Sequence, residues 1–150
     1  MEHKPRIELQ AVADLRPAEY RAPMRREERL ARWIEVLERE PRRLLKPLRE
    51  IEYGRRKERR TIRADNSPLT VAYEDPVLRA EGLASDKLVD ALDFFRLSEH
   101  EAHTAFCSCH IGSAMDASHA AARLRALLNR GAPSEREGLF ASVVAVLFGR

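Results

Sequence analysis

Apolar residues recur every three to four positions along most of this chain, and this spacing most constrains what the chain can fold into. Leu30, Trp33, Ile34 and Leu37 stand at helical spacing among arginines and glutamates, which places them on one face of an α-helix. We interpret Trp33 as a core anchor because it belongs to that face. The same period returns between later prolines, glycines and capping residues, so the sequence predicts an all-α fold, a bundle of about six to eight helices, several of them short.

Capping side chains and prolines mark where the helices should begin and end, because an oxygen accepts a free backbone N–H and proline tolerates the first turn. Ser67 before Pro68 and Asp75 before Pro76 repeat this device. A strand at 69–73 is the alternative to the first of these two helices. We expect helices over 24–40, 47–53, 68–73, 76–81, 86–96, 98–110, 117–129 and 135–147.

Length and composition indicate a single helical domain over 24–150, since 150 residues suffice for one core. Residues 1–23 contain three prolines and little periodicity, so we expect a partly ordered N-terminal arm. The longest apolar run, Leu139–Phe148, has about half of the ~20 residues that a membrane span needs. No secretory signal is apparent at the N-terminus, and the two closely spaced cysteines fit a reducing compartment. The sequence therefore predicts a cytoplasmic protein with no membrane span.

Charge is unevenly distributed along the chain. Residues 21–63 hold 16 Lys/Arg against 8 Asp/Glu, and the remainder holds 11 against 16. Such asymmetry favours either a polyanion partner or attraction between the two halves. The most basic stretch is 55–63, and its arginines would lie on one side of a helix if it is helical. Such a row could contact the phosphates of a nucleic-acid backbone. Its arginines, which we call the basic stripe, are Arg55, Arg56, Arg59, Arg60 and Arg63.

Three aspartates repeat at helical spacing in the predicted helix over 86–96. Asp86, Asp90 and Asp93 would lie on one face. Such a row can bind a divalent cation or hold a general acid and base. It is more typical of a solvated helix face, and it could also face the basic stripe.

The only concentrated chemistry lies between Ser98 and His110. Zinc takes imidazole nitrogen and thiolate sulfur, and ligands one helical turn apart can reach one ion. His103, Cys107 and His110 have that spacing, and His119 on the next helix is a candidate fourth ligand. Cys109 would point elsewhere unless the helix unwinds near its end. The alternative is that the thiols are inert and the histidines form a polar face.

These residues partly resemble the motif of the zinc-binding anti-sigma family. That motif is a His, three residues, a Cys, two residues and a second Cys on a helix. His103 and Cys107 match it, whereas His110 stands in the third position and Cys109 is off register. The resemblance is confined to residues 103–110, and what it implies is a zinc ligand set there.

Catalytic motifs are not apparent in the sequence. It contains no P-loop, no dinucleotide-binding glycine pattern, no nucleophile elbow and no H-E-x-x-H. We therefore predict a non-enzymatic protein without a cofactor that acts through protein–protein contacts, with either a protein partner or self-association through Leu139–Phe148. One alternative is a nucleic-acid-binding module that uses the basic stripe. The other is a zinc-binding regulatory protein that uses the His/Cys helix.

Overall fold

The computed structural model describes residues 22–131 of the chain. Within this range it contains eight helices and one two-stranded ladder, so the predicted all-α class is confirmed. Nearly all of the expected N-terminal arm, and the segment Leu139–Phe148, lie outside the described residues. No helix over 22–131 has both the length and the apolar character to cross a bilayer. The helices are α1 (Arg26–Arg39), α2 (Arg56–Arg60), α3 (Pro68–Glu74), α4 (Pro76–Ala80), α5 (Leu88–Phe95), α6 (Glu99–Phe106), α7 (Ser108–Ile111) and α8 (Ala117–Gly131), and the strands are β1 (Leu44–Leu45) and β2 (Met115–Asp116).

Helix α1 is the element on which the others pack. Its four predicted stripe residues are all buried, and its most extensive contact is with α8. Trp33 stacks on Phe95 with ring centroids 4.4 Å apart and lies 5.2 Å from the ring of Phe106. Its indole N–H donates to the carbonyl of Pro68 at 2.9 Å, which satisfies the one polar atom of a fully buried ring. Trp33 is therefore the core anchor that its spacing predicted.

The two Pro-initiated helices form as predicted. The hydroxyl of Ser67 accepts from the backbone N–H of Thr70, and the carboxylate of Asp75 accepts from that of Leu78, each at 3.3 Å. Helices α3 and α4 therefore begin at proline, directly after a capping side chain. The alternative of a strand at 69–73 is wrong.

A buried ion pair joins α1 to the start of α4. Arg32 donates from Nε and Nη2 to the two carboxylate oxygens of Asp75, at 3.0 and 2.9 Å. The Asp75 side chain is only 1% exposed. The Arg32 guanidinium holds the pKa of Asp75 below its usual value despite this burial.

The segment after α1 departs from the prediction, since no helix forms over 47–53. Instead β1 pairs antiparallel with β2, and Leu48 donates its N–H to the carbonyl of Phe106 at 2.8 Å. Pro47 is compatible with the first turn of a helix, but the N–H of Leu48 donates to a distant carbonyl, and the backbone is not free to form the local helix. Leu44, the first residue of β1, is 70% exposed.

A left-handed residue and a capping box separate α5 from α6. Arg96 has φ 50° and ψ 47°, and the following N–H, that of Leu97, returns to the carbonyl of Leu92 at 3.0 Å. The Ser98 hydroxyl then accepts from the N–H of Glu101 at 3.1 Å, and the Glu101 carboxylate accepts from the N–H of Ser98 at 2.7 Å. Ser98 followed three residues later by Glu101 is the capping-box pattern in the sequence, and this reciprocal pair fixes the start of α6.

Candidate functional site

The predicted His/Cys helix is interrupted in the middle of its cysteines. Helix α6 ends at Phe106, and Cys107 has an extended backbone with φ −76° and ψ 139°. The interruption lies where Leu48 bridges to Cys107, because the Phe106 carbonyl accepts from Leu48 instead of from a following turn. The chain then re-enters a short helix, α7, so the residues after Cys107 do not continue the register of α6.

This break brings two thiols, two imidazoles and one carboxylate together, in what we call the thiol–imidazole cluster. The Sγ atom of Cys109 lies 3.0 Å from Sγ of Cys107 and 3.6 Å from Nε2 of His103. The other ring nitrogen of His103 lies 3.2 Å from Nε2 of His110. The carboxylate of Glu52 accepts from the Cys107 thiol at 3.5 Å. Cys109 thus belongs to two triads, one with the histidines and one with Glu52 and Cys107, each with donor atoms within 4.8 Å of one another.

The donor spacing fits a tetrahedral zinc ion. Zn–S bonds of about 2.3 Å and Zn–N bonds of about 2.0–2.1 Å imply S–S separations of about 3.8 Å and N–S separations of about 3.6 Å. The observed Cys109–His103 separation is 3.6 Å, and the Cys107–Cys109 separation is 3.0 Å. The first separation equals the tetrahedral value, and the second is about 0.8 Å shorter than it. The mixture of thiols and imidazoles is also the donor set that zinc prefers.

Burial and local hydrogen bonds set the protonation states in the cluster. Burial raises the pKa of the Cys107 thiol to about 12, so this thiol carries its proton at neutral pH. Hydrogen bonding from Cys109 holds the pKa of Glu52 below its usual value. Burial lowers the pKa of His103, which favours its neutral, metal-binding form.

The structure brings together most of the residues that the sequence singled out as metal ligands, but not all of them. His103 and His110 share a triad, and Cys107 lies in the adjoining one. His119 belongs to neither triad and lies in the first turn of α8, where its backbone N–H donates to Asp116 at 2.8 Å. Cys109 joins the cluster because the helix ends before it, which is the unwinding that the sequence made a condition for its participation.

Glu52 is the cluster member that sequence reasoning missed. It lies in the turn after β1, far from the cysteines in sequence, and it approaches them because Leu48 bridges to Cys107. No local signal identifies it, because Pro47 is compatible with the first turn of the helix expected over 47–53. Nothing in the sequence indicates the distant partner.

The basic stripe, the second candidate site, faces acidic side chains of the same chain. Four of its five arginines form ion pairs, and Arg55 forms none among residues 22–131. The prediction that the aspartate row faces the stripe is confirmed for Asp86 and Asp93, whereas Asp90 accepts from the Ser85 hydroxyl. Much of the charge asymmetry is therefore compensated internally. The pairs are Arg56–Glu99 (3.2 Å), Arg59–Glu99 (3.7 Å), Arg60–Asp93 (3.2 Å) and Arg63–Asp86 (2.8 Å).

Comparison with known proteins adds no functional information to this geometry. No family model matches the chain, and neither a curated protein nor a solved structure shows significant similarity to it. The function is therefore argued from the two candidate sites themselves.

Proposed function

We propose that this chain is a zinc-binding regulatory protein and that the thiol–imidazole cluster is its metal site. The observation that carries the proposal is the position of the Cys109 sulfur, 3.0 Å from the Cys107 sulfur and 3.6 Å from Nε2 of His103. Donor atoms of these types at these separations need little movement to surround one ion.

The ligand set follows from the hydrogen bonds within the cluster. We assign Cys107, Cys109, Nε2 of His103 and the carboxylate of Glu52 as the four ligands. His110 contacts Nδ1 of His103 at 3.2 Å, which leaves Nε2 of His103 free for the metal. A partner on the second ring nitrogen orients a metal-bound histidine, so His110 has a supporting role.

Zinc in this position would connect three segments of the chain. Glu52 comes from the turn after β1, His103 from α6, and the cysteines from the break between α6 and α7. Metal occupancy would therefore control how firmly the turn containing Glu52 is held against α6. This is the step through which zinc would regulate the shape of the protein.

The experiment is a zinc titration of protein purified without a histidine tag, with metal content measured by elemental analysis. We expect one equivalent of zinc, removable by a chelator and restored in a competition titration. Cys109→Ser should abolish tight binding without unfolding the metal-free protein, because Cys109 is exposed. His119→Ala is the matched control for His103→Ala, since His119 lies outside both triads.

Two outcomes would overturn the proposal. One is zinc binding well below one equivalent in the unmodified protein. The other is Cys109→Ser protein that binds zinc as tightly as the unmodified chain. Substitution of Cys107 is less informative, because Cys107 is fully buried and its loss also affects packing.

The other predicted functions are less well supported by the described residues. The nucleic-acid alternative is weakened because four arginines of the basic stripe already face carboxylates. Self-association through Leu139–Phe148 concerns residues outside 22–131 and stays a prediction, as does the absence of enzymatic activity.

A further inference from the structure

A cavity of about 200 Å³ opens beside the thiol–imidazole cluster. Ile51 and Leu88 contribute apolar side chains to its lining. Its polar wall includes Arg59 and Arg60 of α2 together with one carboxylate, that of Glu99, and His103 borders both the cavity and the cluster. The cavity is therefore a pocket with apolar and cationic walls next to the proposed metal site.

The arginines of this pocket have hydrogen-bonding capacity that the protein does not use. The Nε atoms of Arg59 and Arg60 are buried and have no hydrogen-bond partner among the described residues. A buried donor without a partner is unfavourable, and more so when it belongs to a charged group. Each Nε atom is closed to solvent as the side chains lie, so it would gain a partner only if its guanidinium turned towards an acceptor in the pocket, and the two side chains, 34% and 42% exposed, have room to turn.

The carboxylates nearby only partly neutralise these arginines. Glu99 lies 3.7 Å from Arg59, beyond hydrogen-bond distance, and is shared with Arg56, which approaches it at 3.2 Å. Arg60 contacts Asp93, whose side chain is 71% exposed, so solvent screens that pair. Arg56 and Arg59 therefore share the one carboxylate of Glu99. The wall of the pocket keeps an excess of positive charge.

We propose that this pocket binds a small oxyanion, namely inorganic phosphate or the phosphate group of a small ester. A guanidinium presents Nε and Nη donors side by side, which matches two oxygens of a phosphate. His100, which also lines the pocket, can supply a further donor.

Pocket size limits the ligand. At about 30 Å³ per water, a cavity of about 200 Å³ holds roughly six or seven water-sized groups. This is room for a tetrahedral oxyanion with a small substituent, which would rest on Ile51 and Leu88, and not for an oligonucleotide. The inference goes beyond the proposed zinc function, because none of the anion donors on α2 is a proposed metal ligand.

The test is an NMR titration of the arginine Nε–H signals at constant pH and ionic strength, on full-length protein treated with a chelator. Inorganic phosphate and methyl phosphate are the ligands, and chloride is the control for non-specific anions. We expect saturable shifts of the Arg59 and Arg60 signals with both phosphates and none with chloride. A smaller dissociation constant for methyl phosphate would identify an ester as the preferred source of the phosphate group.

Two variants localise the binding. Arg60→Gln should raise the dissociation constant roughly ten- to hundredfold, the effect of losing a charge-assisted hydrogen bond. Arg55→Gln is the matched control, because it removes the same charge from the same stripe at a residue that is exposed and does not line the pocket. It should leave binding unchanged.

Three results would overturn the proposal: no saturable shift, equal shifts with chloride, or equal loss of affinity in both variants. The Cys109→Ser protein separates this proposal from the zinc site. It should lose zinc and still bind phosphate, so failure of either proposal leaves the other measurable.

Discussion

Substitution of Asp75 by Asn tests how much the ion pair between α1 and α4 stabilises the fold. The Asp75 carboxylate accepts two hydrogen bonds from Arg32, at 2.9 and 3.0 Å, and one from the backbone N–H of Leu78 at 3.3 Å. Asparagine has nearly the same shape and can keep the cap on Leu78. It loses the negative charge, and its NH₂ group would face the N–H donors of Arg32.

The expected loss follows from the burial of the two partners. Breaking a buried ion pair costs about 3–5 kcal/mol, since one charge is left uncompensated. The Asp75 side chain is 1% exposed, but that of Arg32 is 20% exposed, and Glu35 lies 3.0 Å from Arg32 as an alternative partner. Solvent and Glu35 therefore reduce the penalty, and we expect about 2–3 kcal/mol of unfolding free energy to be lost at pH 7.

The pH dependence of this loss gives a second, independent check. The pKa of Asp75 is lowered in the folded protein, mainly by its hydrogen bonds with Arg32. A lowered folded pKa means that the stabilisation is fully present above the unfolded value of about 3.9 and is lost as the pH falls through the folded pKa. The difference between the two proteins should therefore be constant from pH 7 to about pH 5 and shrink below pH 4.

Urea unfolding followed by far-ultraviolet circular dichroism measures both effects. With a slope of about 1–3 kcal/mol per molar urea, the midpoint should fall by about 1 M or more at pH 7. Glu35→Gln is the matched control, since Glu35 contacts the same arginine but is largely exposed, and its loss should be much smaller. Equal losses in the two variants, or a difference that is unchanged at pH 3.5, would refute the reasoning.

Two further predictions concern the junction of α5 and α6. Ser98→Ala removes the side-chain acceptor for the N–H of Glu101 and should lower the unfolding free energy by about 1 kcal/mol. Retained stability in thermal unfolding would show that the cap is dispensable. Arg96→Gly should raise stability by about 0.5–1 kcal/mol, because Arg96 has φ 50° and glycine adopts this conformation without strain. A lower melting temperature for Arg96→Gly would show that the arginine side chain matters more than its backbone.

Local signals predicted the helices well. The stripe that contains Trp33, the caps at Ser67 and Asp75, and the capping box at Ser98 all depend on residues within one or two turns, so sequence spacing is sufficient to identify them. The helix predicted over 47–53 failed for the opposite reason. The N–H of Leu48 donates to the carbonyl of Phe106, the preceding residues Leu44–Leu45 pair with β2, and no local pattern indicates such distant partners.

The candidate site was predictable only where it is local. The spacing of His103, Cys107 and His110 drew attention to the region in which the thiol–imidazole cluster lies. The prediction from this spacing required one continuous helix. It therefore left Cys109 out of the candidate zinc ligands and included His119. The hydrogen bond between Leu48 and Phe106 ends α6 and brings Glu52 to the cysteines, and these are tertiary events.

The pairing of β1 with β2 has a consequence for the order in which the molecule matures. It joins Leu44–Leu45 to Met115–Asp116, near the far end of the described chain. Closing so long a loop is slower than forming helical turns, and during synthesis the second strand emerges long after the first. Glu52 therefore meets Cys107 only once the chain has closed, and the complete set of proposed zinc donors should exist only in fully folded molecules.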